Sequence, residues 1–253
     1  MSEKKLTFRG HLAELRRALM VAGLAVLVGF GVAVVFWEQI HWALMRPVLP
    51  LLPEGSEPVF LGVFEPVFYM LKLGLIGGIL LASPVVFWQL WWFVAPGLTA
   101  RERRLALPFI ASASLFFLGG AAFCYFIVLP KAAAFSLGQM TSETRMLLSL
   151  NRYLSNAAMF VLAFGVIFET PVMVFLISTL GLVHPDTLAR YRKYVLLATF
   201  IIAAILTPTP DAINQSIMAL PMYILYELGV LVSRIAVRRK ARRQREDEDD
   251  AGS

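Results

Sequence analysis

Residues 18–37 read ALMVAGLAVLVGFGVAVVFW, twenty residues without a charge. A helix of that length rises about 30 Å, which is the thickness of the hydrocarbon core of a bilayer. Arg16 and Arg17 precede the run, and Glu38 follows it. The run is longer than the apolar part of a secretory signal, lacks a small-residue cleavage site and leads into further apolar runs. We therefore predict a membrane-spanning helix that stays attached to the protein.

The composition of the whole chain extends this prediction. Of the 253 residues, 58% are hydrophobic and only 16% are charged, with a mean hydropathy of +0.72, whereas soluble domains carry about 25% charge. An ordinary cytosolic protein is excluded. The apolar residues gather at about 18–37, 67–94, 107–129, 157–180, 194–206 and 213–232. These runs predict an all-α, polytopic membrane protein in which residues 1–237 form a six-helix domain and residues 238–253 form a disordered charged tail.

The basic residues predict the orientation of this domain. Eighteen of the 23 lie on the side shared by both termini, four lie on the other side, and Lys72 lies within the second run. The positive-inside rule places the basic side, and so both termini, in the cytoplasm. The net charge of +6 follows from this topology and from attraction to anionic lipid, so it does not indicate nucleic-acid binding.

The runs differ in length, and this predicts the shape of the bundle. The fifth run covers only about 20 Å of a hydrocarbon layer about 30 Å thick. The second run has about 28 residues and must tilt or bend, for which Pro84 offers a place. Pro171 and Pro221 offer the same in the fourth and sixth runs. We expect a bent, concave bundle that is thinner on one flank.

The sequence gives little support for an enzyme or for a metal-binding protein. The only cysteine is Cys124, and His11, His41 and His184 are far apart in sequence, so neither a disulfide nor a zinc site can be drawn. The sequence also lacks a Walker-type phosphate loop, an HExxH pair and a GxSxG nucleophile motif. We predict no catalytic activity, no cofactor and no metal.

Glu169 is a candidate functional residue, because it lies midway along the fourth run. A carboxylate at that depth costs about 2.5–3.5 kcal/mol on insertion scales. It could be a buried acid that fixes helix packing, or it could contact a visiting helix or conduct protons. In the last case the chain would be a proton-coupled small-solute transporter with Glu169 as relay, although few other titratable groups lie near mid-depth.

Other polar residues lie closer to the ends of the runs. Lys72 and Glu227 can reach the headgroup region by extending their side chains. Asp211 follows the Pro208-Thr209-Pro210 turn, where it can cap the sixth helix and complement its dipole; Gln215 follows one turn later.

Two further acids lie among the cytoplasmic cations. Glu14 precedes the first run and can pair with Arg17 three residues later, and Glu102 can balance the basic loop after the second run. Taken together, the two carboxylates could instead hold a pair of guanidinium groups bidentately, a geometry that lysine cannot reproduce.

Five motifs give the chain a family resemblance. They are HLAELR at 11–16, FVAPGL at 93–98 followed by ERR at 102–104, FGVIFETP at 164–171, LTPTPD at 206–211 with Gln215, and PMYILYE at 221–227. Together they closely resemble the TatC family of twin-arginine translocase subunits. The resemblance runs from about residue 8 to residue 234 and includes the six-span plan. Five motifs in order are specific, whereas one alone would be weak.

The resemblance implies a function. TatC proteins are bacterial inner-membrane receptors for signal peptides with consecutive arginines, and they export folded proteins with TatA- and TatB-type single-span partners in a multimeric complex, using the proton-motive force. By the same resemblance, signal-peptide recognition falls to Glu14, Glu102, Arg16 and Phe93. Contacts with partner helices or assembly roles fall to Glu169, Pro47, Tyr125, Asp211 and Gln215.

Overall fold

The fold is built almost entirely from helices. The computed structural model describes residues 8–53, 56–97, 103, 106–139, 147–206 and 212–251. Its helices are α1 (Phe8–Val35), α2 (Trp37–Met45), α3 (Glu65–Val94), α4 (Ala106–Phe123), α5 (Leu129–Gly138), α6 (Leu150–Phe168), α7 (Thr170–Thr179), α8 (Pro185–Arg190), α9 (Arg192–Leu206) and α10 (Ala212–Ala251). Short elements join them: a 3-10 helix (Leu49–Leu51), a 3-10 turn (Ala95–Gly97), a π-helical segment (Cys124–Val128) and the strands β1 (Glu57–Val59) and β2 (Leu147–Ser149).

Within the described residues, five helical segments are long and apolar enough to cross a membrane. They are Leu12–Val35, Glu65–Val94, Ala106–Gly138, Leu150–Thr179 and Gln215–Arg239. The chain is therefore a multi-pass helical membrane protein. The predicted fifth span corresponds to α9, whose 15 residues rise only about 22 Å. The six-span topology stays a prediction.

Several boundaries differ from the apolar runs. The fourth span begins at Leu150 and is divided at Glu169 into α6 and α7, whereas Pro84 and Pro221 lie inside helices that continue past them. The sequence predicts a disordered tail from residue 238, but α10 runs on to Ala251. The tail begins with alanine, arginine, lysine and glutamine, which are strong helix formers, so it extends the helix that precedes it.

The first two spans pack as a close antiparallel pair. A Cβ added to Gly78 of α3 would lie 2.6 Å from the backbone nitrogen of Phe30, and one added to Gly29 of α1 would lie 2.7 Å from the carbonyl oxygen of Gly78. The two backbones therefore meet at these glycines, as small residues permit in membrane helix pairs. Much of the remaining surface of α1 is exposed.

The main core lies between the third, fourth and last spans and α9. Its buried residues include Phe164, Cys124 and Met222. Gly120 of α4 and Gly165 of α6 let these two helices approach closely: a Cβ on Gly120 would press on the backbone of Phe164, and one on Gly165 would lie 2.7 Å from the Phe117 ring. This contact fixes the part of α6 that leads to Glu169.

The two long loops on the side opposite the termini are joined by a small sheet. Strands β1 and β2 pair in parallel, with Pro58 opposite Leu148. The prediction of an all-α fold missed this pairing, because three-residue strands in loops give no periodic signal. The sheet holds the loop after α1 against the start of the fourth span.

Candidate functional site

The register of α1 against α3 brings together two of the predicted recognition residues. The helices are antiparallel and cross at Gly29 and Gly78. Glu14 lies 15 residues before the crossing and Phe93 lies 15 residues after it, so both reach the same end of the pair. Glu14 and Phe93 are half-buried, and Arg16 is exposed. An acidic and an aromatic residue that are distant in sequence thus lie at the same end of the α1–α3 pair, which forms one rim of the protein.

Arg103, the one described residue between Gly97 and Ala106, contacts the end of α3. Arg103 donates from Nε to the carbonyl oxygen of Ala95 at 2.9 Å and from Nη2 to that of Pro96 at 3.5 Å. The guanidinium therefore binds the 3-10 turn Ala95–Gly97, which follows Phe93 and Val94 in the chain. Glu102 lies outside the described residues, so its distance from Glu14 is not part of this geometry.

Glu169 lies at the break between α6 and α7. Pro171 follows it at the start of α7, and since proline has no N–H, it cannot donate to the carbonyl oxygen of Ile167 four residues earlier. The Thr170 hydroxyl donates to that oxygen instead, at 2.5 Å. The sequence Glu-Thr-Pro thus interrupts the helix while keeping its backbone carbonyl satisfied.

The carboxyl group of Glu169 is buried against α4. The residue is 8% exposed, Phe168 packs against Gly120, and the backbone of Phe117 approaches the carboxyl. Within the described part of the chain, Oε1 has no hydrogen-bond partner. A buried polar atom without a partner calls for an explanation, and Glu169 is the acid that the sequence singles out in the membrane.

Two of the predicted assembly residues lie at the loop after α1. Pro47 is half-buried in the turn that follows α2. Tyr125, in the π-helical segment, donates its hydroxyl to the carbonyl oxygen of Ala43, and Tyr153 of α6 donates to that of Leu44 at 3.0 Å. The hydroxyl of Tyr125 thus reaches α2 from the π-helical segment. These tyrosines hold the loop on the third and fourth spans.

Gln215 joins the last two membrane helices. Its Nε2 donates to the carbonyl oxygen of Phe200 in α9 at 2.8 Å. The amide therefore fixes the start of α10 against the short helix α9, on the same side of the protein as Tyr125. Asp211 lies outside the described residues, and its predicted capping role stays a prediction.

Sequence reasoning missed two polar contacts in this half of the protein. His41 Nδ1 lies 2.6 Å from the Tyr69 hydroxyl, and burial lowers the pKa of His41, which favours the neutral ring. Lys72 donates to Asn151 at 2.9 Å and to Ser155 at 3.1 Å, so it binds α6 rather than only extending toward headgroups. The sequence signal for these contacts was the presence of tyrosines and other polar residues near the ends of the spans.

Comparisons with known proteins agree with this architecture. The family described as "Sec-independent protein translocase protein (TatC)" matches residues 10–221. A protein of that name from Desulforapulum autotrophicum is 39% identical over 238 residues, which are 94% of this chain and 88% of the relative. Another, from Escherichia coli K12, is 39% identical over 227 residues, which are 90% and 88% of the two chains.

A solved structure extends the similarity to three dimensions. The crystal structure of the twin-arginine translocase receptor TatC in DDM is 36% identical in sequence and superposes with a TM-score of 0.75. The match covers 88% of this chain and 99% of that one. The family match, the relatives and the shared helical architecture all agree: the chain belongs to the TatC family of Sec-independent protein translocase proteins and is a multi-pass membrane protein of protein transport.

Proposed function

We propose that this chain is the receptor and core subunit of a twin-arginine protein translocase. It binds twin-arginine signal peptides at its cytoplasmic face and helps to export folded proteins with the proton-motive force. The observation that carries the proposal is the α1–α3 register, by which Glu14 and Phe93 reach the same rim. The two residues are distant in sequence, and the family resemblance assigns both to peptide recognition.

The chemistry of the rim suits paired arginines. A carboxylate accepts two parallel N–H bonds from one guanidinium, and two carboxylates can therefore hold two consecutive arginines. We propose Glu14 and Glu102 as the two acids. Phe93 offers an aromatic face on which a guanidinium can stack, and Arg16 repels stray basic segments that lack this geometry.

The proposal extends to the topology and the partners. The charge asymmetry supports six spans with both termini in the cytoplasm, in a bacterial-type inner membrane. We propose that TatA- and TatB-type single-span proteins assemble with the chain into a multimeric complex. We propose that Pro47, Tyr125, Asp211 and Gln215 contribute to this assembly. Tyr125 supports it by holding α2, and Gln215 by holding the start of α10.

Complementation tests the function as a whole. We expect the gene to restore export of a folded twin-arginine cargo in a strain that lacks its own TatC, because receptor and scaffold are then both present. The same cargo with twin lysines should stay in the cytoplasm and serves as the control. Uptake of a small solute by proteoliposomes of the chain alone under a pH gradient, with no rescue of export, would instead support the transporter alternative.

Glu169 gives the proposal a second site, which contacts a partner helix. The burial of its carboxyl and the missing partner of Oε1 support this, because a polar side chain on a visiting helix would complete its hydrogen bonding. At 8% exposure, the carboxyl meets such a helix only after turning outward from α4. The hinge made by Thr170 and Pro171 lies directly beside it.

Crosslinking of partner helices tests this second site. We expect Glu169→Ala to lower crosslinking to a TatA- or TatB-type helix by about five- to thirtyfold, because hydrogen bonds across membrane helices are worth about 1–2 kcal/mol in model peptides. Glu169→Gln keeps donors and an acceptor and should retain most of the crosslinking. Equal crosslinking in the wild type and the alanine variant would contradict a docking role.

A further inference from the structure

The inner end of α10 is tied to α8 and α9 by ion pairs. Arg192 at the start of α9 places Nη2 2.7 Å from Oε2 of Glu227, and Tyr223 donates to the other carboxylate oxygen, Oε1, at 3.0 Å. Seven residues further along α10, Nη2 of Arg234 lies 3.1 Å from Oδ1 of Asp186 in α8. These contacts fix two guanidinium groups, one from α9 and one from α10, at positions about two turns apart along α10.

An open groove lies between the two arginines. It has a volume of about 280 Å³. Its polar wall is formed by Arg192, Arg234, Glu227 and Tyr223, and its apolar wall by Ile224, Leu228 and Leu231. The three apolar residues follow one another at spacings of four and three, so they form a stripe along α10. All three are exposed, and Ile224 and Leu231 are each 55% exposed.

The groove lies near the membrane surface. The last apolar run of the sequence ends at about residue 232, two residues before Arg234. Tyr191 and Tyr194, on either side of Arg192, are exposed, with ring centroids 5.8 Å apart. Exposed tyrosines mark the headgroup level of membrane proteins. A stripe of leucine and isoleucine that runs from this level into the hydrocarbon layer matches an acyl chain.

We propose that this groove binds one anionic phospholipid, with its phosphate on Arg192 and Arg234 and an acyl chain on the stripe of Ile224, Leu228 and Leu231. The phosphate needs hydrogen-bond donors, and both guanidinium groups can supply them. Each has five N–H donors, and the ion pairs described above engage Nη2 in both cases.

The acid in the groove makes a free phosphate a poorer ligand than a lipid. Glu227 contributes a negative charge beside the arginines, which disfavours an inorganic phosphate dianion more than a phosphodiester with one charge. The apolar stripe favours only a ligand with a hydrocarbon chain. Basic sites between helices on the cytoplasmic side are known to suit anionic lipid headgroups. Charge and apolar surface thus point to the same ligand.

Native mass spectrometry of the purified chain with added phosphatidylglycerol tests the proposal. We expect the double variant Arg192→Gln/Arg234→Gln to retain at least about tenfold less lipid, because hydrogen bonds to charged groups contribute about 1.5–3 kcal/mol each. Arg238→Gln/Arg239→Gln removes the same charge from exposed positions of the same helix and should retain the wild-type amount. Arg192→Lys/Arg234→Lys preserves the charges and should bind part of the wild-type amount of lipid. This second variant keeps the test valid if the glutamine variant does not fold.

Three further measurements distinguish a lipid from a free phosphate and from a partner protein. Glycerol phosphate at millimolar concentration should not displace the lipid, and Leu231→Ser should weaken lipid binding but not phosphate binding. Displacement by glycerol phosphate, with no effect of Leu231→Ser, would overturn the lipid assignment in favour of a phosphate site. Unchanged lipid retention in both the glutamine and lysine variants would overturn the proposal. If these variants also lost crosslinking to a TatA- or TatB-type helix, the groove would be assigned to a partner protein.

Discussion

Replacing Gly120 with alanine is expected to lower the free energy of unfolding by about 1–3 kcal/mol, the usual cost of overpacking a tight contact. The new Cβ would lie 2.8 Å from Cβ of Phe168 and 2.9 Å from the backbone carbon of Phe164. Backbone atoms cannot rotate away, so α4 and α6 must separate. Phe168 directly precedes Glu169, and the separation therefore also displaces the membrane carboxyl.

The neighbouring glycine provides a matched control for this variant. A Cβ added to Gly119 meets nothing within 4 Å, so Gly119→Ala should be neutral or should gain up to about 1 kcal/mol from the better helix propensity of alanine. Denaturant unfolding of both variants in the same detergent provides the comparison. Equal stability of the two variants would mean that the close approach at Gly120 does not constrain the fold.

The second large effect concerns Glu14 and Glu102, the two acids proposed to bind the signal peptide. We expect Glu14→Gln and Glu102→Gln each to lower export of a folded twin-arginine cargo by at least about tenfold, because a charge-assisted hydrogen bond contributes about 1.5–3 kcal/mol. Glutamine keeps the size of the side chain and an oxygen acceptor but removes the charge. Export is measured as the fraction of cargo recovered outside the inner membrane at equal expression of the variant.

A change of charge on the opposite side controls for a general loss of function. Glu38 is exposed in the first turn of α2, beyond the other end of the first span, and Glu38→Gln should leave export unchanged. Glu14→Asp retains the charge on a shorter side chain and should rescue part of the export. If Glu38→Gln reduced export as much as Glu14→Gln, the effect would lie in charge balance and not in recognition.

The long apolar helices could be predicted from the sequence because hydrocarbon imposes one requirement on every residue of a span. The exclusion of charge from residues 18–37 therefore predicted α1 without any tertiary information. The break at Pro171 was also predictable in principle, since proline lacks an N–H. Its exact form was not, because the hydroxyl of Thr170 completes the backbone only through local geometry.

Contacts between distant segments could not be predicted in the same way. The hydrogen bonds of Tyr125 and Tyr153 to α2 and the ion pair of Arg192 with Glu227 depend on which helices become neighbours. A single sequence shows which side chains are polar or charged, but not which residues they contact. For the candidate site, the motifs indicate which residues to test, whereas the crossing at Gly29 and Gly78 explains why Glu14 and Phe93 lie at the same end of the helix pair.

The most direct test of the central claim is the binding affinity of the purified chain for two signal peptides that differ only in twin arginines or twin lysines. The account predicts that the wild type prefers the arginine peptide by at least about tenfold, since a planar guanidinium binds a carboxylate bidentately and an ammonium does not. It also predicts that Glu14→Gln and Glu102→Gln abolish this preference. A preference that persists in both variants would contradict recognition by these acids.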